Sequence, residues 1–388
     1  MKYLSIIILG LIISASSFAQ MNLQWDVAIG GSGDETAKSA VQTPDGGFII
    51  VGSTDSEGSG KLDGYIVKID ANGDEEWSQT YGGRKDDEFN AIIEYKGNYG
   101  ITGHSESKGS GKKDFWFMMV DKDGNKLWEH FYGKDKDEEA FDLIKTFDGN
   151  IALAGYTKSS GPKKHNFYVM KINPNGVGKK QGEMIWKRTA GSNGTDLAMR
   201  IKQSPQDSFI YAIGHTTSYG AGGMDIYIVK FEKTRGSAKK KKYYGKKNFE
   251  HGNDFIFLPD GNILIAGSSM SDSKGFFDGY MLQIEKEYYK VWDKMYGGKE
   301  DEEFVSVFAD GDDFVLGGFT ASQGEGKYDA WIMKIDKKGN IISEQTFGEE
   351  KDDKINRMIK CKDGTYLMVG YTESKGDGGK SMWVVKTN

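Results

Sequence analysis

Pairs of acidic residues recur at a fixed register along this chain of 388 residues. Paired carboxylates can bind calcium or act as general acid and general base. Catalysis needs one asymmetric group of residues, whereas these pairs repeat. We therefore expect them to accept hydrogen bonds from neighbouring glycine- and serine-rich loops, with calcium binding as the alternative. The pairs are Asp34-Glu35, Asp86-Asp87, Asp137-Glu138, Asp301-Glu302 and Asp352-Asp353, with weaker copies at Thr195-Asp196 and Phe249-Glu250.

Other chemistry-bearing residue types predict neither a metal nor a cofactor. Cys361 stands alone, which excludes an intramolecular disulfide and a zinc-thiolate cluster. Glycine-rich loops such as 109–112 and 324–327 are followed by strand-like sequence, whereas a phosphate loop must lead into a helix. No two histidines are spaced as ligands on one strand; they are His104, His130, His165, His215 and His251.

An internal repeat must position all of these residues. Its most regular marker is a glycine, followed four residues later by a serine and eleven residues later by a polar residue that opens an apolar run. The glycines are 51–59 residues apart, which is typical of a solenoid or a propeller. They are Gly52, Gly103, Gly155, Gly214, Gly267, Gly318 and Gly370.

Each repeat contains four short apolar runs and no stretch with helical periodicity. In the second copy we predict strands at 89–95, 99–103, 115–120 and 126–132, joined by Asp-Gly turn signals in the repeat. Four antiparallel strands per unit of this length indicate a propeller blade. The sequence therefore predicts an all-β, seven-bladed β-propeller.

The two ends of the repeat array predict how the ring closes. The array begins with a fourth-type strand at 23–29 and stops after a third-type strand at 382–386. The first strand can supply the missing outer strand of the last blade. Tryptophans in five such outer strands are expected to pack between neighbouring sheets rather than to form a sugar platform; they are Trp25, Trp77, Trp128, Trp186 and Trp292, with Lys240 and Ser343 in the other two.

Residues 1–19 have the features of a secretory signal peptide. Lys2 precedes an apolar run, and small residues end at Ala19, after which cleavage is predicted. Residues 20–388 then form a single propeller domain with no transmembrane segment. Because the chain has 57 acidic and 51 basic residues, nucleic acid is not an expected partner. A retained membrane helix is the alternative, although the apolar run is short for one.

The spacing from Asp70 to Trp77, repeated from Asp121 to Trp128, resembles the blade signature of quinoprotein-like propellers. The whole array resembles the exported propeller-repeat proteins of Bacteroidota. This resemblance implies the fold, whereas family members include dehydrogenases, outer-membrane assembly factors and surface proteins. The chain departs from the enzymes in having seven repeats rather than eight, and it lacks an adjacent pair of cysteines. It also ends on its last blade, without a sorting domain, which favours retention in the periplasm over secretion.

Polar residues near the middle of each first strand are expected to form a solvated lining of the central channel. A small-molecule site in the channel is the alternative. The seven residues are Lys38, Asn90, Asp142, Arg200, Asp254, Ser306 and Arg357.

Two neighbouring c–d hairpins depart from the repeat by being basic, and the first of them, 173–186, is also six residues longer than its counterpart in the first copy. Because both are expected on the face opposite the acidic loops, they predict a docking site for an acidic protein or an anionic membrane, with a solvated surface as the alternative. The candidate residues are Lys179, Lys180, Arg235, Lys239, Lys240, Lys241 and Lys242.

From these patterns we expect a non-catalytic protein-interaction platform in the periplasm, as part of an outer-membrane-associated secretion or assembly complex. Two alternatives remain open. One is a quinone-dependent or hydrolytic enzyme with its site at the channel mouth. The other is a glycan-binding surface protein that uses aromatic pairs at 276–277 and 288–289.

Overall fold

The structure is a computed structural model that describes residues 21–161 and 164–388. The predicted signal peptide, residues 1–19, lies outside the described residues. In the part that is described, 28 strands form seven four-stranded antiparallel sheets, and the only helical element is a 3-10 turn at Gly178–Lys180. No helix among these residues is long and apolar enough to cross a membrane. The predicted seven-bladed propeller is confirmed.

The strands follow the repeat. We call the four strands of a blade a to d, from the channel outwards. Blades 1 to 3 contain β2 Glu35–Gln42, β3 Phe48–Thr54, β4 Asp63–Ile69, β5 Glu75–Tyr81; β6 Asp87–Tyr95, β7 Asn98–Ser105, β8 Asp114–Val120, β9 Lys126–Tyr132; β10 Glu138–Lys145, β11 Ile151–Thr157, β12 Asn166–Asn173, β13 Glu183–Ala190.

Blades 4 to 7 continue in the same order, and the last blade takes its d strand from the start of the array. They contain β14 Asp196–Gln203, β15 Ile210–Thr216, β16 Asp225–Phe231, β17 Ala238–Tyr244; β18 Glu250–Phe257, β19 Ile263–Ser269, β20 Asp278–Ile284, β21 Lys290–Tyr296; β22 Glu302–Asp310, β23 Asp313–Thr320, β24 Asp329–Ile335, β25 Ile341–Phe347; β26 Asp353–Lys360, β27 Tyr366–Thr372, β28 Ser381–Thr387 and β1 Leu23–Ile29.

The predicted ring closure is also confirmed. β1 pairs antiparallel with β28, from Leu23 opposite Thr387 to Ile29 opposite Met382. The indole Nε1 of Trp383 donates a hydrogen bond to Asp26 Oδ2 at 2.9 Å. Because β1 leads directly into β2, one short segment joins the last blade to the first.

Burial explains why strands b and c read as nearly continuous apolar runs. Every residue of β3, β4 and β8 is buried, because a neighbouring sheet covers each face of a blade. The d-strand tryptophans pack between blades as expected. Trp186 of blade 3 stacks on Phe231 of blade 4, with ring centroids 6.4 Å apart.

The regular glycine of the repeat is required by close backbone approach. All seven a strands contain a β-bulge, such as the register shift between Ala37 and Ser39. Gly52 lies opposite this bulge, and a Cβ added there would lie 1.8 Å from the carbonyl oxygen of Thr36. Any larger residue would push the two strands apart.

Candidate functional site

The second carboxylate of each acidic pair stabilises the face on which the d–a and b–c loops emerge, which we call the loop face. Glu138 is 2 % exposed and accepts hydrogen bonds from Thr157 Oγ1 at 2.6 Å, Lys134 N at 2.9 Å and Ser159 N at 3.0 Å. The expected structural role is supported, and Ser159 of the b–c loop is one of the expected donors, whereas Thr157 ends strand b and Lys134 lies in the d–a loop. The glycine-rich loops donate mainly to the first residue of strand c, as Ser110 N and Gly111 N do to Asp114.

The carboxylate that begins strand c and the second carboxylate of the acidic pair come close together at the glycine that follows strand d. At Gly82, an added Cβ would lie 1.9 Å from Asp63 Oδ1 and 2.9 Å from Asp87 Oδ2. No group of three His, Cys, Asp or Glu side chains suited to a metal ion occurs within residues 21–161 and 164–388. Burial, reinforced by the charge of Asp353, raises the pKa of Asp329 to about 6.

Asp329→Asn is expected to stabilise the protein at about pH 8. The pKa of Asp329 is raised in the folded state, so its contribution to stability is complete below its unfolded pKa of 3.8 and is lost as pH rises through about 6. One pKa unit corresponds to about 1.4 kcal/mol, and with allowance for the retained hydrogen bonds we expect a gain of about 1–2 kcal/mol. Asn166 already occupies this position in blade 3. Urea unfolding at about pH 8 and at about pH 4 measures the effect.

The control for this variant is Asp336→Asn, in an exposed turn. Hydrogen bonds from the backbone of Asn340 lower the pKa of Asp336, so its charge favours the folded state. We expect no stabilisation from this second variant at about pH 8. An equal gain from both variants, or a gain from Asp329→Asn that persists at about pH 4, would contradict the explanation.

The channel contains buried ion pairs, so the expectation of a solvated lining at one register is wrong. Lys38 and Asn90 are bulge residues, whereas the other five predicted residues each follow a bulge. The side chains of these five residues point back into the protein, because the extra residue of the bulge shifts the alternation of side chains by one position. Asp142, Asp254 and Ser306 are 1 %, 4 % and 1 % exposed. That group is Asp142, Arg200, Asp254, Ser306 and Arg357.

Two arginines and two aspartates form the centre of this group. Asp142 Oδ1 lies 2.9 Å from Arg357 Nη1 and 3.8 Å from Arg200 Nη1. Arg200 Nε lies 3.5 Å from Asp254 Oδ1, and Lys202 Nζ lies 2.8 Å from the same oxygen. The aspartates also join blades, because their Oδ2 atoms accept hydrogen bonds from Ile201 N and Val307 N of the following blades at 3.0 and 3.1 Å.

The bulge side chains line a cavity of about 360 Å³ at the loop-face mouth of the channel. Three of them are asparagines that donate to a carbonyl of the next blade. Asn356 Nδ2, for example, donates to Ala37 O at 2.8 Å across the closure of the ring. The bulge residues are Lys38, Asn90, Phe141, Met199, Asn253, Val305 and Asn356.

His104, His215 and His251 lie near this mouth, the first two at one register of the repeat and the third at another. His104 Nδ1 is 3.4 Å from Glu139 Oε1. Burial opposes ionisation of Glu139, but contact with His104 and Lys113 lowers its pKa to about 2. His215 and His251 have ring centroids 4.9 Å apart, and burial lowers the pKa of His215 to about 3. Sequence spacing concealed this grouping because the residues come from different strands.

The basic residues lie along the outer edge of blades 3 and 4, in the d strands and in the c–d turns that precede them. Lys239 to Lys242 belong to the edge strand β17, whereas Arg235 lies in the c–d turn and Lys180 in the 3-10 turn. Lys179 lies in the same 3-10 turn, but its side chain is outside the described part. The sequence interpretation also missed Lys187 and Arg188 of β13, although they directly follow Trp186.

We call the following set the basic rim: Lys180, Lys187, Arg188, Arg235, Lys239, Lys240, Lys241 and Lys242. Arg188 Nη2 donates to Arg235 O at 2.5 Å, which joins the two blades. Among the described residues, no ion pair within 4.0 Å involves a member of the basic rim. Glu232, the nearby acid, accepts hydrogen bonds from the backbone of Thr234 and Arg235. The basic rim is therefore the candidate functional site.

In each aromatic pair considered for glycan binding, only one of the two residues is exposed. Phe276 and Tyr289 are 66 % and 67 % exposed, whereas Phe277 stacks on His251 and Tyr288 is buried. A different exposed pair lies beside the basic rim. The rings of Tyr219 and Tyr243 stack with centroids 6.1 Å apart at an interplanar angle of 13°.

No family model matches the sequence, and no curated protein matches it. The fold is similar to several solved propellers. The WD40 propeller domain of Doa1 aligns with a TM-score of 0.55 and 12 % identity over 96 % of this chain and 97 % of that one. BBS1N, solved in complex with ARL6DN, gives 0.53 and 11 % over 94 % and 96 %.

A quinoprotein gives a weaker match. The quinohemoprotein alcohol dehydrogenase of Comamonas testosteroni aligns with a TM-score of 0.50 and 11 % identity over 95 % of this chain and 76 % of that one. At such low identity these similarities establish the architecture alone. The chain has the seven-bladed propeller fold, with distant structural similarity to WD40 and quinoprotein propellers.

Proposed function

We propose that this protein is a non-catalytic interaction platform whose basic rim binds an acidic protein. The observation that carries the proposal is that, among the described residues, no acidic side chain lies within 4.0 Å of a charged group of the basic rim. Lys239 to Lys242 are consecutive, so their ammonium groups repel one another, and an acidic partner relieves that repulsion. Charge complementarity of this kind gives fast association and selectivity.

Comparison of the seven d strands strengthens the argument. Each of the other six contains at least one acidic residue, and several of these neutralise a nearby lysine, as Glu129 does with Lys108 and Lys126. β17 has none, and Lys241 occupies the position that Glu129 occupies in β9. The acids in the other six strands are Asp26, Glu75, Glu76, Glu129, Glu183, Asp293 and Glu344.

The finer proposal places the protein in the periplasm, as a subunit of an outer-membrane-associated secretion or assembly complex. It is supported by the signal-peptide features of residues 1–19 and by the propeller fold, which in BBS1N is found in complex with another protein. Fractionation of cells and co-purification from solubilised membranes test it. A purely monomeric pool, with no membrane-associated fraction, would argue against it.

Changing Lys239, Lys240, Lys241 and Lys242 together to glutamine is expected to weaken partner binding at least about tenfold at low salt, because steering and pairing are both lost. The matched control replaces four exposed lysines elsewhere, Lys61, Lys112, Lys337 and Lys338, which changes net charge equally. Binding to the co-purified partner is measured for both variants over a salt series. Equal affinities for wild type and the rim variant would show that the basic rim is merely solvated.

A further inference from the structure

β17 has one strand edge that faces away from the sheet. It pairs with β16 on one side and is the last strand in the order β14-β15-β16-β17. In an antiparallel edge strand, alternate residues direct their N–H and C=O groups outward. A bulge at Lys239 interrupts the start of the strand, and the pairing is regular from Lys240 to Tyr244. These five residues therefore form an edge suited to pairing with another strand.

The side chains of this edge select what can pair with it. Lysines on an edge strand prevent pairing with copies of the same strand, because like charges are brought together. The same lysines favour a strand that carries carboxylates. Lys239, Lys240 and Lys241 are exposed, and Tyr243 is 50 % exposed. The edge is therefore closed to self-association but open to an acidic strand.

Alternation along the strand gives the incoming segment a pattern. Lys241 and Tyr243 share one face of the sheet, and Lys240 and Lys242 share the other. On the first face, Tyr243 stacks on Tyr219 and offers an apolar surface. On the second, Lys240 Nζ lies 5.6 Å from the ring centroid of Tyr288 in blade 5. The complementary strand carries acids on the face of Lys240 and Lys242 and apolar side chains on the face of Tyr243.

We infer that the acidic partner binds by adding an extended segment to blade 4 as a fifth strand along Lys240 to Tyr244. This inference rests on the proposed function and specifies its binding mode. Main-chain hydrogen bonds supply affinity in such strand addition, and side chains supply specificity. The ligand is therefore an extended acidic segment of a protein, rather than a folded acidic surface or an anionic membrane.

A synthetic peptide of about ten residues that alternates glutamate with valine tests this mode. We expect it to bind, and to slow hydrogen exchange at the outward-facing amides of residues 240–244. The control peptide has the same sequence and charge, but alternate backbone nitrogens are methylated so that one edge cannot donate hydrogen bonds. Its affinity is expected to be at least about tenfold lower, because the main-chain bonds are lost. Anisotropy titration and hydrogen exchange are the two readouts.

The outcomes separate the two proposals. Equal binding of both peptides, with loss of both in the glutamine variant of the four lysines, would overturn strand addition and leave charge-based docking intact. Binding of both peptides that is insensitive to this variant would overturn both proposals. Failure of the alternating peptide while anionic lipid vesicles bind would overturn strand addition and assign the basic rim to a membrane surface.

Discussion

Asp142→Ala is expected to cost about 3–5 kcal/mol of unfolding free energy, because it leaves the buried Arg200 and the partly buried Arg357 without their shared carboxylate. Asp142 is 1 % exposed and contacts Arg357 and Arg200 in the centre of the ring. The change also removes the acceptor for Ile201 N, so the join between blades 3 and 4 is weakened. Urea denaturation with two spectroscopic probes measures the loss.

Two further variants distinguish charge from packing. Asp142→Asn keeps an acceptor for Ile201 N but removes the negative charge, so an intermediate loss is expected. Arg200 retains Asp254 as a partner, so combining Asp142→Ala with Arg357→Met removes the charge that is left unpaired and is expected to recover part of the stability. If Asp142→Ala cost less than about 1 kcal/mol, the ion pairs would not be holding the centre of the ring together.

Deleting residues 20–31 is expected to destabilise the protein by roughly 5 kcal/mol or more, since three side chains lose their packing and each contributes about 1.5–3 kcal/mol. Trp25, Val27 and Ile29 pack in the core shared by the last and first blades. β28 is fully buried and would become an exposed edge. A loss of this size is comparable with the whole stability of many domains, and thermal melting measures it.

The control for the deletion supplies the missing strand as a separate peptide of residues 20–31. We expect the peptide to raise the melting temperature of the shortened chain, with a concentration dependence typical of binding to the folded state. A peptide in which Trp25, Val27 and Ile29 are replaced by serine should have no effect. If the shortened chain melts at the same temperature as the full one, β1 does not close the ring.

The architecture could be predicted because its determinants are local and repeated. Gly52 and its six counterparts are fixed by backbone approach at the bulge, where an added Cβ would lie 1.8–2.0 Å from a carbonyl oxygen. Only glycine fits there, so the register survives in every copy. The turn that begins at Asp70 is similarly local, because its Oδ1 accepts from Asn72 N and Asp74 N at 2.7 and 3.0 Å.

The channel and the candidate site were less predictable because they depend on backbone irregularities and on contacts between blades. A bulge shifts the alternation by one residue, so Lys38 faces the channel while Ser39 is buried. The sequence placed Lys240 at the register of a d-strand tryptophan, and the structure shows that Lys239 to Lys242 all belong to that edge strand. Arg188 joined the rim only through a contact with Arg235 in the next blade.

The closure by β1 has a mechanical consequence. The chain passes covalently from Ile29 to Glu35, so the last and first blades cannot move apart unless β1 leaves β28. The point at which the ring could open therefore lies inside one sheet, and not at an interface between two sheets. There, tension along β1 loads its ladder of hydrogen bonds in shear, with Leu23 to Ile29 sharing the force. The ring therefore resists opening as strongly at its closure as a sheet resists separation of its own strands.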